Sequence, residues 1–519
     1  MQNRRALGRG AAGCAAMVLT VASAFGQLPA ASGQTQGPAR ANPLPLSGRT
    51  GQSGTVTAAE SPVPGTTNSV NTVNPTVQVE GPYSGSASDK AAFSGKLSLQ
   101  DAIARGLEYN LGAVGIAQAV RQANGETRVA RSALLPNLNG NLSETVEQVD
   151  LQAFGLRFNF PIRGFSIPTV VGPFNYFDLR ASLSQTVLDV TAWNNYRSAA
   201  ENLRSNRLSA NDARDLVVLA VGGAYLQVIT AAARVESVRA QLATAKALFE
   251  QTSQQRAVGL VAQIDVNRSR VQVLTQQQRL ITVENDLSKQ KINLARLVGL
   301  PPNDGYALAD DVPFAPGPDI SLEDSLKQAF EQRWDLKAAQ AQVQAAERAR
   351  SAARAERLPS VSLSADYGAI GVTPDHSHGT FSVVGSLKFP IWQGGRIEGD
   401  IEQANAALAQ RQAELEDLHA RVESDVRNAY LDLVAARSQV EVAQENLRVT
   451  QENLKLTRQR FDAGVSDNVD VVQSQEAVAS AELDYINGVF AHNLAKLSLA
   501  RAIGRASDKL PQFLEVRAH

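Results

Sequence analysis

Apolar residues recur at alternating spacings of four and three through Val422, Val426, Ala429, Leu433, Ala436, Val440, Ala443, Leu447, Thr450, Leu454, Thr457 and Phe461. A mean repeat of three and a half residues is the seam of a coiled coil. Ile397, Ile401, Ala404, Leu408, Leu415 and Leu418 carry the stripe upstream across Arg411, and no proline interrupts the chain from Ile391 to Leu510. The pattern predicts one helix from Arg396 to Asp462, about 100 Å long at ~1.5 Å per residue. A second stripe at Val465, Val469, Val472, Ala479, Leu483, Ile486, Phe490 and Leu497 predicts its partner. Between them, Gly464 can take the positive φ that ends a helix, and Ser466 or Asp467 can cap the next one. The proline-free stretch from Phe174 to Leu300 predicts an equivalent pair turning at Val258-Gly259-Leu260.

Elsewhere the period is two. Val361, Leu363, Ala365, Tyr367 and Ala369 alternate with Ser362, Ser364, Asp366 and Gly368, and Phe381, Val383, Gly385, Leu387 and Phe389 repeat the alternation after a loop. These are strands with one apolar and one polar side, and Pro359 and Pro390 sit at their boundaries, where a missing N–H costs least. Weaker alternation predicts two more strands, one from Leu138 to Gln148 with a possible continuation through Leu156, Phe158 and Phe160, the other through Leu179, Ala181, Leu183 and Val187.

The order of these elements occurs twice. Leu97-Ser98-Leu99-Gln100-Asp101 matches Ile320-Ser321-Leu322-Glu323-Asp324, and Leu135-Pro136 matches Leu358-Pro359, at a constant offset of 223. From Ala224-Tyr225-Leu226, which matches Ala429-Tyr430-Leu431, to Leu294-Ala295-Arg296, which matches Leu499-Ala500-Arg501, the offset is 205, so the first copy carries an 18-residue insertion. An internal duplication follows. The expected boundaries are a signal peptide at 1–24, a disordered leader at 25–95, a first repeat at 96–305, a linker at 306–319, a second repeat at 320–505 and a tail at 506–519.

Composition narrows the class. Aromatics are 5%, and there are two Met, one Cys and five His in 519 residues, a poor inventory for an ordinary globular enzyme. The net charge of −1 comes from interspersed acids and bases, which offers no basic face for nucleic acid. Arg4, Arg5 and Arg9, the apolar run Ala11 to Val21 and Ala22-Ser23-Ala24 form an export signal. Ala11-Ala12-Gly13-Cys14 resembles a lipobox, but the apolar run follows this cysteine instead of preceding it, against lipidation. Cleavage at Ala24 leaves a mature chain without cysteine. The strongest later apolar run, Leu216 to Leu226, is bounded by Asp215 and Gln227 and is too short for a membrane helix. Any span is therefore expected to be made of strands. Four strands cannot close a barrel alone, and an open edge is not tolerated in lipid, so closure calls for several protomers.

Arg256-Ala257-Val258-Gly259-Leu260-Val261-Ala262-Gln263-Ile264-Asp265-Val266, Arg460-Phe461-Asp462-Ala463-Gly464 with Asp470-Val471, and Phe389-Pro390-Ile391-Trp392-Gln393-Gly394-Gly395 resemble the TolC-like outer-membrane efflux protein family, over about Lys96 to Arg505. The resemblance implies an α+β membrane protein. Its homotrimer forms a 12-stranded β-barrel, four strands per protomer, continuous with a long α-helical coiled-coil tunnel in the periplasm. It also implies an outer-membrane channel subunit of a tripartite efflux or type I secretion system. The tunnel would meet an inner-membrane transporter through a periplasmic adaptor protein, and cargo would pass without chemistry. No cofactor or metal is expected.

The same resemblance sets the two hairpin turns at the periplasmic tip, which makes Val258, Gly259, Leu260, Ala463 and Gly464 the expected adaptor-docking residues. Helix termination explains both glycines equally well. Asp265 and Asp470 each follow their glycine by six residues, and three copies would supply a ring of acids that attracts cations; a solvated acid at a helix N-terminus is the plainer alternative. Phe461 and Ser466 stand where well-known members carry a tyrosine and an arginine that hold the tip closed, and Gln473 stands at a second acid position. Asp375-His376-Ser377-His378 reads as a polar loop in preference to a metal site, and His419 as a solvated helix position. The competing architecture is a periplasmic coiled-coil scaffold without a pore, which gives no reason for four two-sided strands.

Overall fold

The stripe that begins at Val422 is buried at Val422, Val426, Ala429, Leu433, Ala436, Val440 and Ala443, and half-buried at Leu447, Thr450, Leu454, Thr457 and Phe461. Its helix runs unbroken from Arg396 to Asp462. The computed structural model describes residues 56–62, 73–87, 95–155, 168–302, 305–317, 320–507, 514 and 517–518, all within the unit Ala41–His519.

In chain order the elements are β1 (Val56–Pro62), β2 (Val73–Val79), β3 (Lys96–Leu97), α1 (Leu99–Tyr109), α2 (Leu111–Ser132), β4 (Asn137–Asp150), β5 (Val170–Leu188), α3 (Val190–Ala257) and α4 (Gln263–Leu297). Then follow β6 (Ala307–Leu308), β7 (Asp310–Asp311), α5 (Leu322–Gln332), α6 (Trp334–Ala355), β8 (Ser360–Gly371), β9 (Ser377–Lys388), α7 (Arg396–Asp462), α8 (Asn468–Ala502) and β10 (Arg517–Ala518). Helix lengths run 11, 22, 68 and 35 residues in the first half and 11, 22, 67 and 35 in the second.

The matched pentapeptides are helix starts. Ser98 Oγ accepts from the backbone N–H of Asp101 and donates to its carboxylate, and Ser321 does the same with Asp324. Each satisfies one of the free N–H groups of a helix N-terminus. The matched Leu-Pro pairs are stops: α2 and α6 each end three residues before the leucine.

The four strands form one antiparallel sheet in the order β4-β5-β8-β9, and at 14, 19, 12 and 12 residues they are longer than the alternation alone suggested. One chain does not close this sheet: β4 and β9 are its edges. The register stacks Leu138, Leu183, Ala365 and Val383 in one row and Ala181, Tyr367 and Phe381 in another. This apolar side is uncovered, with Leu142 65%, Tyr367 68% and Phe381 77% exposed. Across the sheet, Asp178, Arg180 and Asp366 on the polar side are half-buried. The polarity is the reverse of a water-soluble sheet, which buries its apolar side. The continuation through Leu156, Phe158 and Phe160 lies outside the described residues.

Three expectations need correcting. First, α8 buries Val471, Ser474, Val478, Ala481 and Gly488 besides Ala479, Phe490 and Leu497 of the expected stripe, so its buried surface is wider than one seam, and Val465 is exposed. Small residues let the helices approach closely: a Cβ on Gly488 would lie 3.4 Å from Val440. The larger Phe490 and Leu497 face the core around α3, where a Cβ on Gly222 would come within 3.0 Å of Leu497. Second, an 18-residue window of α3 has a mean hydropathy of 2.0, enough by length and composition for a membrane span, yet 72% of it is buried inside the protein. It is the hub of the main core, around Val217, Val221, Tyr225 and Val228. Third, residues 56–62 and 73–87 fall in the stretch expected to be a disordered leader. There β1 pairs with β2, Val77 packs on Gly223, and Tyr83 joins the core.

Arg411, a charged residue within the stripe, is buried and pairs with Glu414 at 2.8 Å. His419 is half-buried against Phe330, ring to ring at 5.6 Å, and is not the solvated position expected.

Candidate functional site at the helical tips

Both long hairpins turn by the same backbone device. The N–H of Leu260 donates to the carbonyl of Gln255 at 2.8 Å and that of Val465 to Arg460 at 2.9 Å, while Gly259 and Gly464 sit at φ 81° and 71°. These are Schellman ends, which need a residue that tolerates the left-handed region. Space is not the constraint, since an added Cβ would meet nothing within 4 Å at either glycine. In such ends the residue after the glycine usually packs back on its helix. Here Leu260 and Val465 are 75% and 69% exposed, and Val258 is 70% exposed. All five residues expected at the docking tip, Val258, Gly259, Leu260, Ala463 and Gly464, lie on these exposed turns. Val465 belongs with them, and sequence periodicity misassigned it to the seam.

The following helices start differently. Asp467 caps α8, its carboxylate accepting from the N–H groups of Val469 at 3.0 Å and Asp470 at 3.1 Å, whereas Ala262 gives α4 no side-chain cap. Asp265 and Asp470 both occupy first turns, where the helix dipole favours an anion. Asp265 pairs with Arg268 at 3.4 Å, and Asp470 accepts from Ser466 Oγ at 2.6 Å. Within one chain each carboxylate is thus engaged by a neighbour on its own hairpin.

The two tips are also tied to each other. Asn468 Nδ2 donates to the backbone carbonyl of Asp265 at 3.1 Å, and Gln251 Nε2 to Asp462 Oδ1 at 3.0 Å. Farther from the tip, Gln272 Nε2 donates to Glu476 at 2.6 Å. A cavity of about 200 Å³ opens between the hairpins, lined by Leu248, Gln251, Arg458, Phe461, Asp462 and Val471 among others. Phe461 is half-buried there. None of these bonds leaves a local signal in the sequence, because each joins residues about two hundred positions apart.

His376 pairs with Asp375 at 3.0 Å on the exposed β8–β9 loop. Among the described residues, no three or more His, Cys, Asp or Glu side chains gather in a way that could hold a metal.

The family model of the outer membrane efflux proteins matches residues 115–300 and 325–505. The chain belongs to this family. Accordingly it is an outer-membrane protein of a transport family. It is 24% identical over 398 residues to the outer membrane protein TolC of Vibrio cholerae, covering 73% of this chain and 84% of the relative. With the pyoverdine export outer membrane protein OpmQ of Pseudomonas putida it shares 23% over 432 residues, 80% of this chain and 87% of the relative. Among solved structures, the outer membrane protein VceC of Vibrio cholerae superposes with a TM-score of 0.66 at 19% identity, covering 78% of this chain and 96% of that one. The CmeC outer membrane channel of Campylobacter jejuni gives 0.67 at 17%, covering 79% and 86%. These two outer-membrane proteins share the fold of this chain.

Proposed function

We propose that three copies of this chain close a 12-stranded barrel in the outer membrane and a helical tunnel in the periplasm, forming the exit duct of a tripartite efflux or type I secretion system. The sheet carries the reading. One side is apolar and leaves Leu142, Tyr367 and Phe381 exposed, and the other is polar, which suits lipid outside and water inside, and its two unpaired edges would be costly in lipid unless other copies pair with them.

The helices support the same stoichiometry. Ile264, Val271, Leu274 and Ile281 on α4, and Leu431, Val434, Val442, Val449 and Leu456 on α7, form second apolar stripes that remain exposed in one chain. Stripes at coiled-coil spacing are stabilised by a neighbour, here another copy. An internal duplication, supported by the paired helix lengths, would give the trimer near-sixfold regularity. Cargo would pass without chemistry.

At the tips, Val258, Gly259, Leu260, Ala463 and Gly464 are the proposed contacts of a periplasmic adaptor that links the duct to an inner-membrane transporter, because exposed apolar turns favour a partner. Asp265 and Asp470 are the proposed acids of a cation-attracting ring. A pore-free periplasmic scaffold does not account for the exposed apolar sheet. Planar-bilayer recording tests the function: detergent-extracted protein should insert and conduct ions, and fractions that hold the trimer but never conduct would overturn it.

A further inference from the structure

Arg180, near the middle of β5, lies across the polar side of the sheet and bridges three strands. Its Nε donates to Asp178 at 3.3 Å, one terminal nitrogen pairs with Asp366 on β8, and the other reaches Thr380 Oγ1 on β9 at 3.2 Å. The crossing depends on Gly368, the register partner of Arg180: a Cβ there would lie 2.5 Å from the Leu179 carbonyl oxygen and 2.9 Å from Arg180 Cα. Asn141 shares Arg180's row, and Asn139, Ser182 and Ser382 share that of Asp366, while Asp178's row holds Ser143, Ile370 and His378. Charge in this part of the wall is therefore gathered in three successive rows, where two carboxylates face one guanidinium.

We infer that Asp178, Arg180 and Asp366 form a charge belt on the barrel wall that sets the ionic preference of the exit half of the duct. The inference rests on the proposed channel, in which the enclosed polar side lines the lumen and three copies repeat the belt around it. Each copy contributes one net negative charge, so the belt favours cationic solutes, and Arg180 limits that preference. In a narrow, low-dielectric-walled passage a ring of fixed charge raises the local concentration of counter-ions. The flanking rows, Asn137, Ser184 and Ser364 toward the helices and Thr145 with Tyr176 away from them, are uncharged, which leaves these three rows as the main source of fixed charge along the middle of the strands.

The test measures reversal potentials of bilayer-reconstituted trimers under a KCl gradient, in an Asp265→Asn/Asp470→Asn background so that the tip carboxylates do not dominate. Arg180→Gln should raise the cation-to-anion permeability ratio about twofold or more, and Asp178→Asn, which leaves the Arg180–Asp366 pair in place, should lower it by a similar factor. Arg180→Lys, which keeps the charge but not the three-strand reach, should restore the unaltered ratio. Ratios that stay unchanged in both charge variants while the channels still conduct would overturn the belt and leave the channel standing. A trimer that never conducts, even unaltered, would overturn both. Variants that change thermal stability but shift the ratio in the same direction would assign Arg180 a purely structural role, which also overturns the belt.

Discussion

Asn468, buried at the start of α8, donates to the backbone carbonyl of Asp265 on the other hairpin at 3.1 Å, so the two tips of one chain are fastened by a side chain that neither hairpin needs for its own turn. Asn468→Ala removes this bond while the carbonyl keeps its bond from Ser269 Oγ at 3.1 Å, so the cost is about 1 kcal/mol. The expected result is a looser tip, read as a higher single-channel conductance with unchanged trimer yield. Conductance equal to that of the unaltered protein would show that the fastening does not hold the aperture.

Neutralising the tip acids gives a second prediction. Asp470→Asn, and more strongly the double change with Asp265→Asn, should reduce cation preference in bilayers. Because Asp265 already pairs with Arg268, Asp470 should contribute more of the effect. Unchanged selectivity in the double variant would leave both acids as helix-start residues only.

A charge at the first turn tests docking. Gly259 sits at positive φ with open space around it, so Gly259→Asp strains the turn by about 1 kcal/mol but clashes with nothing in its own chain. Export should fail while trimers still reach the outer membrane. Normal export by this variant would count against an adaptor at that turn.

His492 makes stability depend on pH. Burial pushes its imidazole down to about 4, with Lys496 adding to the effect and Arg437 and Glu441 as the other charged neighbours. It stacks on Phe314 with ring centres 5.0 Å apart, and its Nε2 lies 3.2 Å from the Ala315 carbonyl. The unfolded chain takes up this proton near pH ~6.5, whereas the folded protein resists it until about 4. Between those values the unfolded state binds more protons. The contribution is therefore full above the unfolded pKa and declines as pH falls, by up to about 3 kcal/mol per protomer. Thermal denaturation between pH 7 and 4 should show a steeper loss in the unaltered protein than in His492→Gln; parallel curves would contradict this role.

Much of this architecture was legible in the chain. The seam from Val422 to Phe461 delimits α7 at Arg396 and Asp462 because glycines at positive φ, Gly395 and Gly464, punctuate both ends. Alternation located all four strands and told their two sides apart. The buried face of α8 is wider than its expected stripe because that helix packs against two neighbours at once: Gly488 approaches Val440 of α7, while Phe490 and Leu497 join the core around α3. Which stripe meets which helix is a tertiary fact. The same limit hid the bonds that tie the site together. Asn468 to Asp265, Gln251 to Asp462 and Arg180 to Asp366 join residues about two hundred positions apart, and no local period records them. Nor does any mark Arg333, which is buried between Asp335 and Asp425 where α6 begins and α7 passes.

Breaking that last arrangement should be costly. Arg333→Ala removes a buried guanidinium and leaves the half-buried Asp335 without its partner, while Asp425 is exposed enough for water to screen it, so the loss is about 1.5 to 3 kcal/mol. A lower melting temperature or lost trimer is expected, and a variant as stable as the original would show the pair to be dispensable.

The central claim is that the open apolar side of the four-stranded sheet meets lipid and that three chains are needed to pair its edges. The mass of the protein particle extracted from outer membranes tests it most directly. Three copies, released only by detergent and separating on heating, are expected. A single chain that stays in solution without detergent would contradict the account.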